Sequence, residues 1–136
     1  MKLVGRSRGA DTFKIFEAIG EGRPADALAI LSRLFDQGED PLGLLGAFSW
    51  QLRRLAQAAR AHRAGKPLTA AIEAAGFQAW ARDRVEKQLR HLGRRRLDRV
   101  YDWLLEADLA MKSTGALPER VVLERLVVRL ARPRAG

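Results

Sequence analysis

"PADALAILSRLFDQGEDPLGLLGAFSWQLRRL", residues 24–55, is the stretch that decides the fold class. Leu28, Leu31, Leu34 and Phe35 recur at three- and four-residue intervals, Gly38 interrupts them, and Leu45, Phe48, Leu52 and Leu55 take up the same period. That spacing places apolar groups on one face of a helix. Pro24 and Pro41 stand where helices begin, at a first-turn position whose N–H has no partner in any case. Asp40, immediately before Pro41, offers a side-chain oxygen to the free N–H groups of that first turn. The stretch therefore predicts one helix from Pro24 that stops before Gly38 and a second from Pro41 to about Ala64. Short connections of this kind favour antiparallel neighbours along the chain.

The same reading extends in both directions. Upstream, Phe13, Phe16 and Ile19 share a face over Asp11–Gly20, and residues 1–10, with Gly5, Arg6, Arg8 and Gly9, read as a linker or tail. Downstream, Thr69 is a candidate N-cap for a short helix to Ala75, closed by Gly76. A further helix covers Gln78–Leu92. Another covers Leu97–Ser113, with Leu97, Val100, Tyr101, Leu104, Leu105 and Leu109 expected inward and Gly115 at its end. Pro118 opens the last, which carries Val122, Leu123, Leu126, Val127 and Leu130, and residues 132–136 read as a frayed tail. No run of alternating β-branched residues and no hairpin dipeptide is present. The expectation is an all-α, single compact domain of six or seven helices over residues 11–131.

Composition narrows the function classes. The 136 residues are 47% hydrophobic and 30% charged, which suits a packed chain rather than a disordered one. There is no cysteine, so neither a disulfide framework nor thiolate chemistry is available. The start "MKLVGRSRGA" lacks the apolar core of a secretory signal. No apolar run approaches the roughly 18 residues of a membrane span, and the expected location is the cytoplasm. The net charge of +9 favours polyanionic partners, through salt-sensitive attraction to nucleic acid.

Catalytic and cofactor chemistry finds little purchase. Gly43 and Gly46 in "LGLLGAF" lack the strand, Lys and Ser/Thr order of a phosphate-binding loop. His62 and His91 have no acidic partner at ligand spacing and read as surface groups, and a metal needs three or four converging ligands. No cofactor, metal or catalytic residue is expected. In "DLAMKSTG", residues 108–115, Asp108 and Lys112 share a helix face. An exposed pair of this kind contributes only about 0.3–0.5 kcal/mol. A helix-end ion pair, an assembly contact and a catalytic pair are the three readings, with catalysis the least favoured.

Two basic segments point to nucleic acid. "PLTAAIEAAGFQAWARDRVEKQL", residues 67–89, has the outline of a helix-turn-helix, with Arg82, Arg84 and Lys87 facing a major groove. Trp80 suits stacking on an unpaired base better than reading a base edge; filling a core gap or an interface is the alternative. "HLGRRRLDR" places Arg94, Arg95, Arg96 and Arg99 at a helix start, the wrong end for the helix dipole, which points to an external anion or a solvated loop. Trp50 lies off the main stripe of its helix beside Arg53 and Arg54. Aromatic and Arg side chains of this kind mark interfaces, so Trp50 is expected to be partly exposed.

Taken together, these segments resemble a known family. "FKIFEAIGEGRPADALAILSRLFDQGEDPLGLLGAFSWQLRRL" is similar to the opening of the C-terminal collar domain of the delta subunit of the bacterial DNA polymerase III clamp loader. The matching positions are Ala18, Gly22, Ala27, Leu28, Leu31, Leu34, Gly38, Glu39, Pro41, Leu44, Leu45, Gln51, Arg53 and Leu55. "LLEADLAMKSTG" and the Leu- and Val-rich last helix resemble its second half, so the similarity runs from about residue 3 to 131. The resemblance implies a non-catalytic oligomerisation module. Its partners would be the gamma/tau and delta-prime subunits, with the sliding clamp reached through N-terminal domains that this stretch does not include. It also implies proximity to primer–template DNA, for which Trp80, Arg82, Arg84, Lys112, Ser113 and Thr114 are the candidate contacts. Trp50, Arg53 and Arg54 are the candidate subunit interface, and a stand-alone helix-turn-helix DNA-binding protein is the alternative.

Overall fold

A computed structural model describes the backbone of residues 4–113 and 117–133. Six α-helices follow one another among the described residues: α1 (Val4–Gly20), α2 (Pro24–Asp36), α3 (Pro41–Arg63), α4 (Leu68–Ala74), α5 (Arg82–Lys112) and α6 (Glu119–Ala131), with a 3₁₀ turn at Ala79–Ala81 before α5. The chain is all-helical as expected. Asp40 caps α3, its carboxylate accepting from the Gly43 N–H at 2.9 Å.

The boundaries differ from expectation in four places. α1 begins at Val4 rather than Asp11, because a helix anchored by a buried turn extends at little cost once its nucleus exists. α4 begins at Leu68, so Thr69 lies inside the helix and Pro67 takes the N-cap position. Ala79–Ala81 form the 3₁₀ turn with Gln78 extended before it, so the next helix starts at Arg82 instead of Gln78. The two helices expected over 78–92 and 97–113 are a single α5 broken at one residue, Gly93. Gly115 lies outside the described residues.

α5 is the spine of the domain. It packs against α1, α3, α4 and α6, while α2 is held by α1 and α6. The core is built from the stripes that the period indicated: Phe16 and Phe48 meet edge to face at 5.8 Å, and Ile15, Ile19, Leu31, Leu34, Leu52, Leu92 and Leu123 are almost wholly buried around them.

Gly93 has φ 71° and ψ 168°, a conformation that side chains disfavour, and it divides α5 into a first arm (82–92) and a second arm (94–112). The break leaves carbonyls at the end of the first arm without helical partners. Arg96 supplies them: Nη2 donates to His91 O at 2.8 Å and Nε to Leu92 O at 3.1 Å. The same guanidinium reaches the end of α6, donating to Arg129 O, Leu130 O and Arg132 O at 3.3, 3.1 and 2.6 Å. His91 joins this knot through Nε2 to Leu130 O at 3.1 Å, so it is a packing residue between α5 and α6 and not a surface group. The arginine that looked misplaced at a helix start therefore sits at two helix ends, where a cation is favoured.

Candidate interaction surface

The surface of interest is organised by the first half of α3. Its buried face carries Leu44, Leu45, Phe48 and Leu52. Of its two outward faces, one presents Gly43, Ala47 and Trp50, the other Leu42, Gly46, Ser49 and Arg53. Each borders a groove.

The first groove, about 800 Å³, runs between α1, α3, the 3₁₀ turn and the first arm of α5. Trp50 and Trp80 stand beside it, 54% and 64% exposed. The exposure of Trp50 agrees with its position off the helix stripe. Trp80 is held by Phe13, ring centroids 5.7 Å apart, and is not a core filler. Gln51 Nε2 donates to Gln88 Oε1 at 3.0 Å where α3 meets the first arm, which satisfies the 2% exposed Gln88.

The second groove, about 440 Å³, lies between α3 and the second arm of α5. Leu42 and Leu105 line it, and Leu109 follows one turn beyond; they are 45%, 59% and 57% exposed. Leu105 and Leu109 were expected inward and are not. The second arm buries Leu97, Val100, Leu104, Ala107 and Met111, and Leu105 is one residue, hence about 100°, off that stripe. Among the described residues six large apolar side chains are exposed; four of them (Leu42, Trp50, Trp80, Leu105) line these two grooves, and Leu109 lies one turn beyond the second.

The candidate polar DNA contacts separate into two places. Arg82 and Arg84 are exposed beside Trp80; Arg84 donates to Glu17 Oε2 at 2.8 Å and lies 5.1 Å above the Phe13 ring. Lys112 and Ser113 stand at the other end of α5, so the five candidate DNA contacts among the described residues do not converge. Lys112 pairs with Asp108 at 3.0 Å and Ser113 Oγ donates to Leu109 O at 3.0 Å, the arrangement of a helix end. Thr114 lies outside the described residues.

The expected trio Trp50, Arg53 and Arg54 also divides. Arg54 covers the Trp50 ring at 4.1 Å and donates from Nη1 to Ala75 O at 2.6 Å, tying α3 to the end of α4. Its guanidinium fills the space beside Gly76, where a Cβ would collide with Nη1. Arg53 turns the other way and lies 5.7 Å from the Tyr101 ring.

Among the described residues no group of three or more His, Cys, Asp or Glu side chains is placed to hold a metal. No helix among them is long and apolar enough to cross a membrane.

The family model for the DNA polymerase III delta subunit, C-terminal domain, matches residues 9–130. No match is found among curated proteins or among solved structures. An all-helical domain, built on the predicted stripes and matched over nearly its whole length, belongs to the family formed by the C-terminal domains of DNA polymerase III delta subunits.

Proposed function

We propose that this chain acts as a non-catalytic collar, the module through which a delta subunit joins the other clamp-loader subunits in the cytoplasm. The observation that carries the reading is the concentration of exposed apolar side chains on the two grooves beside α3. Contiguous exposed apolar surface of this kind marks protein contacts. Two grooves separated by one helix suit two neighbours, for which gamma/tau and delta-prime are the expected subunits. Trp50, with Arg54 beneath it, is the aromatic anchor of the first face; Leu105 and Leu109 anchor the second. Arg53 belongs with the second face.

Trp80, with Arg82 and Arg84 beside it, is the stronger of the two candidate DNA contacts, since an exposed ring next to guanidinium groups suits stacking on an unpaired base. Unchanged primer–template binding by a loader carrying Trp80→Ala would remove that part of the reading. Lys112 and Ser113 form a separate, weaker candidate.

The assembly reading is tested by mixing the chain with the other loader subunits and measuring mass by size-exclusion chromatography with light scattering. A defined hetero-oligomer is expected, and L105E/L109E is expected to stay outside it while keeping its helical circular dichroism. A chain that remains alone and retards duplex DNA with sequence preference would instead be a stand-alone helix-turn-helix protein.

A further inference from the structure

Arg53 and Arg60 lie on the outer face of α3, seven residues apart, and both approach one ring: their guanidinium carbons are 5.7 and 5.4 Å from the centroid of Tyr101 on the second arm of α5. Arg60 Nη2 also donates to the Tyr101 hydroxyl at 3.4 Å. Further along the same seam, Arg63 meets Asp98 at 2.9 Å and Arg94 meets that same carboxylate at 4.0 Å. Four arginines thus line the seam, and Asp98 is the carboxylate that two of them, Arg63 and Arg94, touch. Among the described residues neither Arg53 nor Arg60 has a carboxylate within ion-pair reach.

This differs from much of the remaining surface. Arg84 has Glu17, Arg90 has Glu86, Arg99 has Asp102, Arg120 has Glu124 and Arg129 has Glu106. An aromatic ring approached by two guanidinium groups attracts them without neutralising their charge. Arg63 and Arg94 share a single negative charge and keep a surplus. The seam is straight and long: from Arg53 to Arg63 the helix rises about 15 Å at 1.5 Å per residue. The rise of about 3.4 Å per phosphate is measured along the duplex axis and the strand winds around that axis, so this length of backbone passes about two or three phosphates.

We propose that the seam between α3 and the second arm of α5 is a binding track for the phosphodiester backbone of nucleic acid, with Arg53, Arg60, Arg63 and Arg94 as its phosphate ligands. The track is separate from the Trp80 groove; it meets the leucine groove at Arg53 and Tyr101 and runs away from it through Arg60, Arg63 and Arg94, so the isolated chain is the form in which it is wholly open. It lacks base-reading side chains at its centre, so binding is independent of sequence and sensitive to salt.

The test is fluorescence anisotropy of the 136-residue chain with a labelled single strand and a labelled duplex, titrated over a series of KCl concentrations. R53Q/R60Q/R63Q is compared with R23Q/R33Q/R125Q, which removes the same three charges elsewhere. Released counterions make log K fall with log salt by about 0.9 per neutralised phosphate on a duplex and about 0.7 on a single strand. The seam variant is therefore expected to flatten the slope by about 2.7 on duplex or about 2.1 on single strand, and the control by less than about one. If the seam variant lost its helical circular dichroism, R63Q/R94Q reads the same quantity, with an expected flattening of about 1.8 on duplex. Equal flattening by the control would reduce the effect to net charge and overturn the track. So would absence of binding by the unsubstituted chain. Equally tight binding of polyglutamate, lost in the same variant, would make the seam a generic acidic-peptide surface and overturn it too.

Discussion

Replacing Arg96 by Ala removes the guanidinium that closes the ends of both the first arm of α5 and α6. Five carbonyls lose a donor, but they do not count equally. The bonds to Arg129 O and Arg132 O are exposed, and water replaces them. Leu130 O keeps His91 Nε2 at 3.1 Å. His91 O and Leu92 O lie in part-buried bonds and lose the Arg96 donor. A part-buried acceptor left without its charged donor costs about 1–1.5 kcal/mol, and loss of a cation at two helix C-termini adds about 0.5–1 kcal/mol. The expected destabilisation is about 3 kcal/mol, or roughly 10 °C in Tm for a chain of this length. Arg96→Lys keeps the charge but cannot fork to both helix ends, so about half of the loss is expected to remain. Arg94→Ala is the control, because its one ion pair is 4.0 Å long and its side chain is 74% exposed; a change below about 0.5 kcal/mol is expected there. Urea unfolding followed by circular dichroism reads all three. If Arg96→Ala and Arg94→Ala lay within about 0.5 kcal/mol of each other, the view of Arg96 as a double helix cap would be refuted.

Three further outcomes can be checked on the same instrument. Gly93→Ala forces a side chain into φ 71°, ψ 168° and is expected to cost about 1–3 kcal/mol. Gly46→Ala meets open space, since no atom lies within 4 Å of an added Cβ, and a helix-interior Gly→Ala change is expected to stabilise the chain by about 0.5–1 kcal/mol; the same methyl intrudes on the second groove, so light scattering of the mixed subunits should show weakened assembly. Asp108→Ala removes a 3.0 Å pair whose side chains are 39% and 64% exposed, and a loss of no more than about 0.5 kcal/mol in urea unfolding is expected.

Local chemistry made most of the helices legible. Asp40 and Pro41 announce α3 because capping is a matter of adjacent residues. The core stripes of α2 and α3 were readable because most of their leucines and phenylalanines recur at helical spacing on one face. The second arm of α5 was harder. Leu104, Leu105 and Leu109 are equally apolar, and sequence alone does not say which of two faces about 100° apart meets the core; that choice belongs to α3 and α6. Trp50 was legible as exposed for the opposite reason, since it stands clear of its stripe. Arg96 was misread because its partners lie on α6, more than thirty positions away, and a dipole argument confined to its own helix has the wrong sign. Arg54 and Arg53 are adjacent in sequence but serve different faces, a divergence that follows from the helical rotation of about 100° per residue.

The bend at Gly93 also sets a mechanical relation between the two grooves. The first arm borders the tryptophan groove and the second borders the leucine groove, so one backbone joint fixes the angle at which a collar would present its two faces. The second arm extends about 28 Å at 1.5 Å per residue, and a change of about ten degrees at the joint would sweep its far end by about 5 Å. That exceeds the tolerance of a packed interface, where misplacement by a methyl group is already felt. A closed ring compounds any angular error from one protomer to the next. In a collar of the proposed kind, Arg96, bound across the joint to α6, would act on a quantity larger than the stability of one domain: it would restrict the pitch at which neighbouring subunits follow one another.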